Sequence, residues 1–230
     1  MLYIWRSLLH LFYPKLCLGC TVALLVQEQV LCIACATRIA LTQHYHIKDN
    51  ETALRFVGRV PFEHACSFAY FTKNSLLQIL LHELKYKGNQ DVGRYLGKQF
   101  ALALKQTSWI ETIDVLVPVP LYKSKLLARG FNQSACIGAA MAQQLAKPMQ
   151  AAVLLRNRHT DTQTQKSRQE RIINMQDAFT VVDPLALVGK HVLLLDDVLT
   201  TGATIESCIL ALQSIKGIRI SIATIGIAID

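Results

Sequence analysis

The sequence predicts an α/β protein with a mainly parallel β-sheet and helices on both faces, preceded by a small cysteine-rich module. From residue 113 onward, apolar strand segments alternate with helical segments, which is typical of parallel sheets. Near the N-terminus, four of the seven cysteines form two closely spaced pairs. The 230 residues are 52% hydrophobic and 17% charged, so the chain can bury a core, and an intrinsically disordered chain is excluded.

The first half of the chain is predicted to contain the small module, one strand and two helices. We assign residues 1–50 to the module and residues 51–230 to the larger domain. A segment of alternating polarity over 59–71 predicts a strand. Apolar residues at helical spacing predict helices over 74–88 and 92–105.

Strands and helices then alternate along the second half. The strands are predicted over 113–119, 153–155, 190–195 and 218–229, and the helices over 132–145 and 203–215. A basic loop is predicted between the first of these strands and the first helix. Segment 156–171 holds five cations, two acidic residues and few apolar residues, which predicts a mobile loop suited to cover a diphosphate.

The two cysteine pairs predict a structural zinc site. Cys17 and Cys20 form one Cys-x-x-Cys pair, Cys32 and Cys35 form the other, and eleven residues separate them. Two such turns supply the four tetrahedral thiolates that zinc prefers, with no open coordination position for catalysis. Two disulfides or a redox-active pair are the alternatives. The sequence has no export signal that would favour disulfides, and a redox motif would not need a duplicate.

Positive charge exceeds negative charge, with 24 Lys and Arg against 16 Asp and Glu, a net charge of +8. This surplus favours anionic partners, without choosing among phosphates, nucleic acid and an acidic membrane surface. No uncharged apolar stretch reaches the roughly 18 residues of a transmembrane helix. Residues 1–15 are apolar but lack the pattern of a signal peptide. Both a helix packed on its own domain and a peripheral membrane contact stay open for them.

The stretch from Val192 to Ile205 carries the strongest functional signal. Four apolar residues predict a buried strand, Asp196 and Asp197 follow it, and a loop of small residues opens the next helix. Ligands of open α/β sheets bind at this edge, and the amide groups of such a loop can surround a phosphate. Two carboxylates beside a phosphate would repel it unless they have other partners. They can accept hydrogen bonds from the hydroxyls of a sugar, and they can share a Mg²⁺ ion with the phosphate. The alternative, a buried strand followed by an acidic turn, does not explain the loop.

This stretch resembles the phosphoribosyl-diphosphate (PRPP) motif of type I phosphoribosyltransferases. The resemblance implies that Asp196 and Asp197 hold the ribose hydroxyls. It also implies that the loop wraps the 5-phosphate with Val198, Leu199, Thr200, Thr201, Gly202, Ala203 and Thr204.

Basic residues elsewhere are candidates for binding pyrophosphate or DNA. They lie in three segments, which contribute Lys85 and Lys87, then Lys123 and Arg129, and finally Arg168 and Arg171. A solvated basic surface is the alternative interpretation. Aromatic residues next to these cations, Tyr86, Tyr122 and Phe131, would suit base stacking.

Several motifs together resemble the ComF family of bacterial competence proteins, in the same order and over nearly the whole chain. They are the cysteine pairs, Leu84–Gly88, Val117–Pro120, Arg129–Gln133, the run from Thr162 to Phe179 and the PRPP motif. The resemblance implies a type I phosphoribosyltransferase-type parallel sheet with an N-terminal zinc ribbon built on four cysteines. It also implies a cytoplasmic role, with a peripheral inner-membrane contact left open, in handling single-stranded DNA during natural transformation alongside other DNA-uptake proteins.

Two functions are consistent with these features. One is a PRPP-binding protein that handles single-stranded DNA. The other is an active phosphoribosyltransferase that transfers phosphoribosyl from PRPP to a nucleobase-like acceptor, with Mg²⁺ and basic side chains neutralising the diphosphate. The sequence shows no pocket for a base and assigns no catalytic residue.

Overall fold

A computed structural model describes residues 14–157 and 178–229 of the chain. Within these ranges the central sheet has four parallel strands in the order β1-β6-β5-β2, and a separate antiparallel pair joins β3 to β4. The strands are β1 Ala65–Phe71, β2 Val115–Pro118, β3 Leu154–Arg156, β4 Phe179–Val181, β5 His191–Leu199 and β6 Arg219–Ala228. The predicted fold class, an α/β protein with a mainly parallel sheet, is confirmed.

Helices cover both faces of the sheet. They are α1 Ile33–Ala36, α2 Glu51–Leu54, α3 Leu76–Tyr86, α4 Gln90–Leu104, α5 Lys123–Arg129, α6 Gln133–Leu145 and α7 Ala203–Leu212. Helices α3, α4 and α6 share one cluster of buried side chains with the cysteine module, whereas α2, α7 and the β3–β4 pair share the other. With both faces covered, the first half of β5 contains a continuous apolar run over residues 192–195, as a buried parallel strand requires.

Several elements differ from the sequence prediction, among them β1, which begins at Ala65 and not at residue 59, and α2, which was not predicted. Strand β5 continues through the two aspartates to Leu199, because ladder hydrogen bonds are made by the backbone and do not depend on side-chain polarity. The predicted basic loop contains helix α5, which has no buried residue and therefore no apolar periodicity to reveal it. Strand β4 was not predicted, and it is only three residues long.

The cysteine module packs directly against the sheet. The amide of Tyr70 in β1 donates to the carbonyl of Ala40 at 2.8 Å, and the amide of Thr42 donates to the carbonyl of Phe68 at 3.1 Å. The thiols of Cys17 and Cys35 belong to the same buried cluster as the α3 and α4 side chains. The described residues thus form a shared core here, and the domain boundary near residue 50 stays a prediction.

The described part of the chain contains no helix that is long and apolar enough to cross a membrane. Of the N-terminal stretch 1–15, only residues 14 and 15 lie within it. The two interpretations of this stretch, a helix packed on its own domain and a peripheral membrane contact, concern residues that lie mostly outside the described part of the chain.

Helices α4 and α6 approach each other closely at two glycines of α4. A Cβ atom at Gly97 would collide with the carbonyl oxygen of Ile137, and one at Gly93 would lie 2.7 Å from the Cys136 sulfur. The two glycines are one helical turn apart, so they lie on the same face of α4. This contact places α6, whose first turn contains Ser134, against the carboxyl edge of the sheet.

We expect Gly97→Ala to lower the free energy of unfolding by about 1–3 kcal/mol, although Ala is the better helix former, because α4 and α6 would have to separate. Urea unfolding measures the effect. Lys98→Ala changes the exposed neighbour on the same helix and should stay within about 0.5 kcal/mol of wild type. A Gly97→Ala protein as stable as wild type would contradict the close packing.

Candidate functional site

Two adjacent carboxylates mark the carboxyl edge of the sheet. Asp196 and Asp197 are half-buried in β5, the strand between β2 and β6. The Ser134 hydroxyl donates to Asp196 Oδ1 at 3.0 Å, and the Asp197 amide donates to the same oxygen at 2.9 Å. Helix α6 and the strand itself therefore fix the orientation of the Asp196 side chain.

Asp197 has a different partner. The Lys85 ammonium, in the last turn of α3, lies 2.7 Å from Asp197 Oδ2, and both side chains are mostly buried at 20% and 15% exposure. Within the described residues, these contacts engage one oxygen of each carboxylate. The second oxygen of each is the acceptor that a ligand hydroxyl would use.

The electrostatic environment separates the two aspartates. Burial, together with the neighbouring Asp197 charge, raises the pKa of Asp196 from 3.8 to about 7. Hydrogen bonds from Ser134 and from the Asp197 amide, and the charge of Lys85, act in the opposite direction but do not cancel it. Asp196 therefore changes its protonation state near neutral pH, an unusual property that is most common at functional sites.

The loop that follows β5 turns tightly into α7. Gly202 has φ = +82°, which favours glycine, and a Cβ there would lie 2.9 Å from the ring of Phe56. Asp196 and residues 198–205 line a small open cavity of about 30 Å³. This exceeds the roughly 10–15 Å³ that one water needs, so the cavity has room for small polar atoms beside the loop.

Arg59 supports this loop and was not identified from the sequence. Its guanidinium donates to the Thr201 carbonyl at 3.1 Å and to the Arg55 carbonyl at 2.9 Å, and it forms an ion pair with Glu206 in α7. Arg59 and Thr201 are 142 positions apart, and no sequence motif connects them. The same is true of Ser134 and Asp196, which are 62 positions apart.

The predicted basic residues are found in different environments. Lys85 forms the ion pair with Asp197, one of the two carboxylates Asp196 and Asp197 that we call the acidic pair. Lys87 forms an ion pair with Glu83 at 2.6 Å, and Arg129 donates to Gln133 Oε1 at 2.8 Å. Lys123 is exposed at the start of α5. Arg168 and Arg171, and with them most of the predicted loop over 156–171, lie outside the described residues.

The four cysteines of the two pairs form a cluster that could hold a metal ion such as zinc. Their sulfur atoms all lie within 4.8 Å of one another, and all seven cysteines of the chain are free thiols. The amides of Gly19 and Cys32 donate to Cys17 Sγ at 3.4 and 3.3 Å. This arrangement gathers the predicted ligands Cys17, Cys20, Cys32 and Cys35 at one point.

The pKa values of these thiols indicate that a bound cation would stabilise the cluster in its ionised form. Burial raises the pKa of Cys17, but backbone amides at Cys32, Gly19 and Cys20 outweigh it and lower the value to about 6. Burial and the neighbouring cysteines raise the pKa of Cys35 to about 12. Four thiols this close cannot all ionise without a positive charge between them, and a bound metal ion supplies that charge.

Comparison with known proteins places these features in a wider context. A family model described as a phosphoribosyl transferase domain matches residues 132–226, which include Ser134, the acidic pair and the loop. The chain is 28% identical over 204 residues to DNA utilization protein YhgH of Salmonella typhimurium, covering 84% of this chain and 88% of that protein. It is 31% identical over 134 residues to Competence protein F of Haemophilus influenzae, covering 56% of this chain and 58% of that protein.

Among solved structures, the chain is similar to the glutamine PRPP amidotransferase from B. subtilis, complexed with ADP and GMP. The TM-score is 0.41 and the sequence identity is 22%, and the match covers 61% of this chain and 30% of that chain. The matched part is therefore less than a third of that enzyme.

We expect the Asp196→Asn variant to gain stability relative to wild type as the pH rises. In wild type, the raised pKa of Asp196 means that the folded protein binds the proton more tightly than the unfolded chain does. The stabilising contribution of protonated Asp196 is therefore lost as the pH rises from 3.8 to about 7. The free energy of unfolding of the variant should therefore rise relative to wild type by on the order of a few kcal/mol. Urea titrations across this pH range measure the difference.

Asp91→Asn provides a control of opposite sign. A hydrogen bond from Arg94 lowers the pKa of Asp91 below 3.8, so wild type should gain stability over this variant as the pH rises towards 3.8 and keep that gain at higher pH. A pH-independent difference between wild type and Asp196→Asn would contradict the raised pKa of Asp196.

Proposed function

We propose that this chain, which belongs to the ComF family with a phosphoribosyltransferase-type domain, binds PRPP and handles incoming single-stranded DNA during natural transformation. One observation carries the proposal: Asp196 lines the same small cavity as residues 198–205 at the carboxyl edge of β5. An acidic pair suits a sugar, a loop of amides suits its phosphate, and PRPP contains both.

Each part of the site has a role in this proposal. Asp196 and Asp197 accept hydrogen bonds from the ribose hydroxyls with the oxygens that Ser134 and Lys85 leave available. Residues Thr200, Thr201 and Thr204 offer amides and hydroxyls to the 5-phosphate at the N-terminus of α7. The carboxylate oxygens are the ligand type that Mg²⁺ prefers, and a bound Mg²⁺ would neutralise charge on the diphosphate.

Single-stranded DNA is the proposed partner on three grounds. The chain has a net charge of +8, helix α5 contributes three cations and no acidic residue, and the relatives are named for competence and DNA utilization. We propose a cytoplasmic location and an association with other DNA-uptake proteins on the same basis. The oligomeric state and a peripheral contact with the inner membrane are left open.

An active phosphoribosyltransferase is the second candidate, favoured by the description of the matching family model. The reaction would replace the pyrophosphate of PRPP with an acceptor at the anomeric carbon. Lys85 already lies beside the acidic pair and could stabilise the departing diphosphate. Release of pyrophosphate in the presence of an acceptor, lost in Asp197→Ala, would favour this candidate over a binding protein.

Calorimetric titration of PRPP with Mg²⁺ tests the common premise of both candidates. We expect wild type to bind, and the double variant Asp196→Asn/Asp197→Asn to bind at least about 100-fold more weakly, because it loses two charged acceptors of sugar hydroxyls. The exposed Asp183 precedes β5, and Asp183→Asn is the matched control with unchanged affinity. No binding by wild type, or equal binding by the double variant, would overturn the proposal.

We also propose that Cys17, Cys20, Cys32 and Cys35 hold one structural zinc ion. Purified protein should contain about one zinc per chain, and Cys17→Ser should lose it and unfold at lower urea concentration, because zinc binding supplies folding free energy. Metal analysis and urea unfolding measure both effects. Cys136→Ser removes a thiol outside the cluster and should retain the metal. A metal-free wild type that is equally stable after chelation would contradict the assignment.

A further inference from the structure

A solvent-exposed aromatic residue directly follows Lys85, the ion-pair partner of Asp197. Tyr86, the last residue of α3, is 68% exposed. The His82 ring contacts it with the ring centroids 4.9 Å apart, and the Arg129 guanidinium lies over it, 5.6 Å from its centroid. A large aromatic ring that remains exposed while two neighbours fix its orientation is a preformed surface for stacking.

Two chains of contacts connect this ring to the two carboxylates. On one side, Tyr86 follows Lys85, which forms an ion pair with Asp197 at 2.7 Å. On the other side, Arg129 donates to Gln133 at 2.8 Å, and the next residue, Ser134, donates to Asp196 at 3.0 Å. The ring is thus linked, through one neighbouring residue on each side, to the contacts of both carboxylates.

The surroundings of the ring are suited to an anionic ligand. Lys125 precedes Arg129 by four residues on α5, so both side chains lie on one face of that helix. Both belong to a helix that has no buried residue and no acidic residue. A phosphate attached to a stacked group would find these cations within reach.

We propose that the exposed face of Tyr86 stacks a nucleobase while Arg129 and Lys125 bind the attached phosphate. The inference rests on the proposed function for the identity of the neighbouring sugar, and it selects one of the three aromatic residues that the sequence offered for base stacking. The base could belong to single-stranded DNA or to a free nucleotide, which present the same ring and phosphate. Stacking on an aromatic ring with nearby cations is sequence-tolerant, as handling of unselected DNA would require.

Fluorescence anisotropy with three probes tests the proposal. The probes are a labelled adenine oligonucleotide of about 12 nucleotides, an abasic strand with the same number of phosphates, and a fluorescent analogue of adenosine monophosphate. We expect Tyr86→Leu to weaken binding of the adenine strand about 10-fold or more and Tyr86→Phe to restore it. Binding of the abasic strand should not depend on the ring. Leu127→Ala, which changes an 84% exposed apolar side chain on α5, is the control expected to bind like wild type.

The outcomes separate the alternatives. Equal binding of the adenine strand by wild type and Tyr86→Leu, or an equal loss for the abasic strand, overturns the proposal. Tyr86-dependent binding of the monophosphate analogue supports it and identifies a free nucleotide as one source of the base. PRPP titration of wild type is a separate measurement, and failure to bind PRPP would contradict the proposed sugar site. Tyr86-dependent binding of the adenine strand would still support the base-binding surface in that case.

Discussion

The burial of two neighbouring carboxylates at a sheet edge, together with their mutual repulsion, determines how this site is arranged. Two ionised groups that are adjacent in the chain destabilise each other when water cannot screen them. The structure resolves this conflict asymmetrically, because Lys85 neutralises Asp197 while Asp196 has a pKa of about 7. Ser134 then orients Asp196 without supplying a full charge. The elements that contribute these partners, α3 and α6, must therefore be placed accurately around β5.

The cysteine module contributes to that placement although it is far from the acidic pair in sequence. A Cβ at Gly19 would lie 2.8 Å from Cys35 Sγ and 3.1 Å from Leu76, the first residue of α3. The first cysteine turn is thus packed against the helix that carries Lys85 and Tyr86. Cys17 and Cys35 also belong to the same buried cluster as Leu77, Leu80 and Leu84 of α3. A metal ion that stabilises the module would stabilise the position of this helix as well.

The sequence predicted the elements that bury an apolar face and the motif that is contiguous in the chain. The two long helices α4 and α6 and the central strands were found because burial imposes a regular spacing of apolar residues. Helix α5 was missed because none of its residues is buried. The partners of the site, Ser134 and Arg59, could not be predicted because they meet Asp196 and Thr201 only after folding, across 62 and 142 positions. The sequence motif was sufficient to predict the loop, whereas the residues that hold the acidic pair and the loop in place are brought there only by tertiary packing.

The raised pKa of Asp196 also couples ligand binding to protons. Near pH 7 the carboxyl is partly protonated, and a ligand that donates hydrogen bonds or brings a cation binds the ionised form better. Binding of such a ligand therefore releases a proton, and its affinity falls as the pH drops below about 7. Asp197 differs from Asp196 in that it forms an ion pair with Lys85. The site thus offers one carboxylate that is paired with a cation and one whose ionisation is coupled to ligand binding.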